Sequence, residues 1–129
     1  MRDHEIAMRV YVQLAAVSDQ KRQFQVRDRF LVLAGAAACR AGWLEVAERC
    51  RARLLVSNPA HQLLRHATFP DAMRDRDFQQ LATHWEHYCP FEKAEALVRQ
   101  LNLPPEEPTD QTVGEQMLLL LTDAPENLK

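Results

Sequence analysis

At 129 residues, 47% hydrophobic and 26% charged, the chain fits one globular domain able to bury about two-thirds of its surface. The same figures exclude extended disorder, a collagen repeat and a disulfide scaffold. The net charge of −2 is unevenly spread, with 15 Lys/Arg against 12 Asp/Glu in residues 1–103 and Lys129 against six acids in residues 104–129, so no dense basic stripe of the kind nucleic-acid binders carry is present.

Only 3 glycines occur, which leaves little of the chemistry of tight β-hairpin turns. Ala, Leu, Arg, Gln and Glu, all helix formers, dominate. Over residues 5–17, Ile6, Val10, Leu14 and Val17 recur at helical spacing and predict one buried stripe. Ser18 and Asp19 offer side-chain acceptors for a new helix start, so a second helix is expected over residues 20–41. Its second half, Phe30 to Cys39, is apolar nearly all round, as in a helix touched on several sides.

Gly42 suits a left-handed C-cap, after which Trp43, Ala47, Cys50 and Leu54 share a face of a third helix. Asn58-Pro59 predicts an N-cap and first position of a short helix to about residue 67. Thr68-Phe69-Pro70-Asp71 breaks it. The next helix starts near Asp71 or Asp75 and carries Phe78, Leu81 and Trp85 inward. Pro90 opens another to about residue 102, with Phe91, Ala94, Leu97, Val98 and Leu101 inward. Residues 104–110 read as a stiff acidic Pro-rich linker, and residues 111–129 as a last apolar helix with a short tail.

The expected fold is therefore all-α, five to six helices in antiparallel hairpins, with residues 1–103 as the main domain. No apolar run approaches the roughly 20 residues that cross a bilayer. The charged start lacks a secretion-signal pattern, and three spaced cysteines suit reduced thiols, so a cytoplasmic location is expected.

Two segments share an internal pattern. The first reads Leu31-x2-Ala34-Gly35-x2-Ala38, then Gly42, Ala47 and Pro59; the second reads Phe78-x2-Leu81-Ala82-x2-Trp85, then Phe91, Ala94 and Val98. This resembles tetratricopeptide-repeat hairpins over about half the chain, or a short helical bundle with the same small-residue seams. Ala47 and Ala94 lie 47 residues apart against a repeat period of about 34, so an insertion around residues 61–74 departs from the family pattern. The resemblance implies a concave face made by the first helix of each unit, with Arg29, Arg40, Arg76, Gln79, Glu86 and His87 as groove residues. Arginine forks among them would suit a protein or acidic-peptide partner.

The sharpest chemical cluster is His84, His87 and Cys89, three transition-metal ligand types close in sequence. It follows no established ligand spacing, so metal binding is the alternative and exposed histidines the default. His61 and His66 are five apart and do not share a face. Arg49, Arg51 and Arg53 fan over the outer half of their helix, a solvated face first and an anion or acidic-peptide contact second, with a nucleic-acid accessory role as a further alternative. Neither a nucleophile elbow nor a phosphate-cradling glycine loop occurs, so no enzyme and no cofactor are expected. The last helix exposes more than one stripe: Met117, Leu118 and Leu121 predict docking onto the body, exchange with a second copy, or insertion into a partner.

Overall fold

The computed structural model describes residues 2–59, 66–100, 117, 118 and 121. Among these the protein is all-α, with six helices and no strand: α1 (Arg2–Gln20), α2 (Phe24–Ala41), α3 (Leu44–Ser57), α4 (Phe69–Met73), α5 (Arg76–Tyr88) and α6 (Phe91–Gln100). Of the expected short helix at residues 59–67, residues 60–65 lie outside the described residues and residues 59, 66 and 67 are not helical; the acidic linker and most of the last helix, with His61 and Leu101, also lie outside the described residues.

Helix α2 is the centre. Residues 30–38 are all buried, because α1, α3, α4 and α5 each pack against it. That is the environment its all-round apolar sequence predicts. Helix α1 departs from the one-stripe reading. Met8, Val12 and Ala15 are buried together with Val10, Tyr11 and Leu14, whereas Ile6 is 36% exposed. The cause is that α1 touches both α2 and α6, so two of its faces are covered.

The α1–α2 turn also differs from expectation. Ser18 and Asp19 lie inside α1, and the Gln23 position before α2 makes no side-chain cap. The turn is instead a C-terminal motif: Gln23 N–H donates to the Ser18 carbonyl at 2.8 Å and Arg22 N–H to the Asp19 carbonyl at 3.0 Å. Arg22 sits at φ 60°, the left-handed position usually given to glycine. Asp19 serves as an anion instead, 2.6 Å from Arg27 and 3.3 Å from Arg53. Gly42 closes α2 as the sequence predicts, at φ 87°, with Trp43 N–H on the Ala38 carbonyl at 2.8 Å.

Thr68 both breaks and starts. Its extended backbone ends the preceding segment, while its hydroxyl accepts the Asp71 N–H at 3.2 Å and so opens α4, with Pro70 at the second helical position, where no amide is needed. Asp75, not Asp71, caps α5, accepting the Asp77 N–H at 2.9 Å. Phe69 of α4 is fully buried, edge-on to Phe78 at 5.5 Å. It reaches α2 at Gly35, where a Cβ would overlap its ring.

The C-terminal residues dock in cis. Met117 and Leu121 are each 3% exposed within the chain's own core. Leu121 meets Ala15, Leu31 and the Asp19–Arg27–Arg53 charge cluster.

Candidate functional site

A groove of about 610 Å³ runs between α1, α2 and the α5–α6 junction. Its floor is apolar: Ile6, Ala7, Leu33, Ala37 and Phe91, with the Tyr11 ring at one side. Leu33 and Ala37 belong to α2 itself, Ile6, Ala7 and Tyr11 to α1, and Phe91 to the start of α6. The junction is held in place by Tyr11, whose hydroxyl donates to the Cys89 carbonyl at 2.9 Å across 78 residues of sequence. Burial raises the Tyr11 phenol well above its ordinary range, with the nearby Cys89 second among the causes, so it stays a donor.

The rim is charged. Arg40 at the end of α2 and Glu86 on α5 meet at 2.8 Å, with about a third of each side chain exposed (38% and 35%). His4 and His87 complete the edge. An exposed pair of this kind contributes only about 0–1 kcal/mol. Exchanging one partner for an incoming charge therefore costs little.

The residues expected to form one concave surface divide between several places. Arg40, Glu86 and His87 line the groove. Arg76 and Gln79 border a separate shallow hollow on α5 with His84 and His87, and the Gln79 amide donates to the Met73 carbonyl at 2.7 Å. Arg29 lies outside the groove, its guanidinium 4.7 Å from the Trp85 ring and 5.0 Å from the Tyr88 ring. There it clamps α2 to the aromatic side of α5.

Met117 and Leu121, named as partner-binding residues with docking onto the chain's own body as the first reading, are covered by the chain itself; Leu121 lines a crevice with residues of α1, α2 and α3. Leu118 is half-buried and borders a hollow with Leu44, Glu48 and Arg49.

His84, His87 and Cys89 do not converge. His84 packs its ring on Trp85 at 4.6 Å, His87 is exposed, and Cys89 is 2% exposed. Among the described residues no group of three or more His, Cys, Asp or Glu side chains is placed to hold a metal ion. Arg49, Arg51 and Arg53 also separate: Arg53 pairs with Asp19 at 3.3 Å, and Arg51 donates to the His66 carbonyl at 2.8 Å, while Arg49 stays exposed. His66 in turn sits 2.9 Å from Asp75, which ties the segment before α4 to the start of α5.

Burial pushes the Cys39 thiol up to about 11, with Glu48 adding to the effect. Burial also raises Cys50 and Cys89. All three are thiols at neutral pH, and a thiol is a poor nucleophile and a poor metal ligand.

Sequence reasoning did not find His4, Ile6, Ala7 and Phe91 as groove residues. Ile6 carried the only usable sign, an apolar residue at the edge of its stripe. No protein family, no curated protein and no solved structure matches the chain.

Proposed function

We propose that this protein is a non-enzymatic interaction module whose groove between α1, α2 and the α5–α6 junction takes apolar side chains of an amphipathic protein segment. The observation that carries the reading is the groove itself, an open apolar floor bordered by an exchangeable Arg40–Glu86 pair. Peptide grooves combine such apolar floors with a few charges that set orientation. The tetratricopeptide-like pattern agrees in part: of the six residues it assigns to a concave side, Arg40, Glu86 and His87 line this groove. A carboxylate on the partner would take the Arg40 fork from Glu86.

A second copy of this chain is the partner to test first, because the groove rim carries both signs of charge and a self-complementary contact needs both. Sedimentation over a range of concentrations tests it. The proposal expects a reversible dimer that Arg40→Glu, a change on the exposed rim, weakens by about tenfold through like-charge repulsion with Glu86. An unaltered dimer in Arg40→Glu, or a monomer at every concentration, counts against self-association through this groove.

A further inference from the structure

The described surface carries five exposed large hydrophobic residues, Ile6, Phe24, Leu44, Val56 and Tyr88. Three are already engaged. Ile6 belongs to the groove floor, Phe24 stacks beneath the Arg27 guanidinium at 4.7 Å, and Tyr88 is approached by Arg29 at 5.0 Å and Lys93 at 5.5 Å. The other two both sit on α3, Leu44 at 50% exposure and Val56 at 82%. Together with the exposed Ala52, they mark the side of α3 opposite Val46, Ala47, Cys50 and Leu54, the residues that this helix buries. The outer face runs about 18 Å along the helix axis from Leu44 to Val56.

The charges on that face are also unmatched. Glu45 and Arg49, one turn apart, are both exposed, and neither forms a salt bridge among the described residues. The groove rim presents the opposite order, Arg40 beside Glu86 at 2.8 Å. Residues four apart on a helix stand about 5–6 Å from each other, near enough to address two rim groups that touch. A helix laid in the groove with Glu45 at Arg40 and Arg49 at Glu86 replaces one exposed ion pair by two.

Symmetry allows the contact to close. Arg40 lies in the last turn of α2 and Glu45 in the first turn of α3, on either side of the Gly42 turn. The rim and the start of the α3 face are therefore at the same end of the molecule. A two-fold axis at that end lets each copy lay α3 in the other's groove, so that the same two surfaces meet twice. Resting on the groove reading above, we infer that the segment filling the groove is α3 of a second copy, with Leu44, Ala52 and Val56 against the apolar floor and Glu45 and Arg49 at the rim.

Sedimentation of Arg40→Glu and Glu45→Arg, each alone and then mixed in equal amounts, tests the pairing. Both side chains are exposed, and circular dichroism checks that both variants keep the parent's helicity. Each variant alone is expected to self-associate about tenfold more weakly than the parent, because like charges then meet at both contacts. In the mixture the reversed rim meets the reversed α3 and the native rim meets the native α3, so association is expected to return to within about threefold of the parent. Val56→Glu, which places a charge against the floor, is expected to weaken association by about tenfold with the groove untouched. Parent-like association of Glu45→Arg or of Val56→Glu, or a mixture no tighter than either charge variant alone, overturns α3 as the occupant. If Arg40→Glu is still weakened in that case, the groove reading survives. A parent that is monomeric at every concentration removes both.

Discussion

Gly35→Ala tests the packing that fixes the position of α4. In an exposed helix this change stabilises by about 0.8–1 kcal/mol, because alanine is the better helix former. Here the added Cβ would fall within the Phe69 ring. That ring has no room to withdraw, being fully buried and held edge-on by Phe78 at 5.5 Å and 86°. Overpacking of this kind costs about 1–3 kcal/mol. The two effects oppose each other; an overlap this deep takes the upper part of that range, about 2–3 kcal/mol, so the clash dominates and leaves a net loss of about 1–2 kcal/mol. For a domain of this size that lowers the Tm by several degrees. Urea denaturation followed by circular dichroism measures it. Phe69→Leu in the same chain should then recover part of the loss, making the pair non-additive. A Gly35→Ala protein as stable as the parent, or more so, would refute the contact between α2 and α4.

Three further outcomes follow from single side chains. Arg22→Gly should raise stability by about 0.5–1 kcal/mol in thermal melts, since φ 60° strains any residue with a Cβ. Tyr11→Phe should cost about 1–2 kcal/mol in urea denaturation, because the buried Cys89 carbonyl loses its donor. Stability should fall as pH rises between about 9 and 11. The unfolded chain ionises its thiols from their ordinary 9.0, while folded Cys39 holds its proton to about 11, so the unfolded state binds fewer protons across that window. Cys39→Ala should make the urea midpoint less sensitive to pH there.

The elements were legible where local physics decides them. The apolar run of Phe30 to Cys39 announced a central helix, and Gly42 its end. Phe78 carried the inward face of α5. Ser18 and Asp19 misled because their side chains cap a helix in isolation, whereas here Asp19 is drawn to Arg27 of α2 and Arg53 of α3. The groove was illegible for one reason. It arises where α1 meets the α5–α6 junction, through contacts such as Tyr11 to Cys89 and Arg40 to Glu86, separated by 78 and 46 residues. No periodicity encodes such a meeting. The candidate site was half visible for the same cause: Arg40, Glu86 and His87 lay on helices the pattern singled out, while the floor came from α1, from Leu33 and Ala37 of α2, and from Phe91 of α6.

The groove offers a single internal probe. Ile6 is the chain's only isoleucine, lies on the groove floor and is 36% exposed, so its δ1 methyl gives one carbon–proton NMR signal. The decisive measurement follows that signal as protein concentration rises, in the parent and in Arg40→Glu. A shift or broadening that grows with concentration in the parent and shrinks in Arg40→Glu is the expected result. An Ile6 methyl that stays unchanged while sedimentation shows the chain associating would place the contact elsewhere and contradict the groove as the interaction surface.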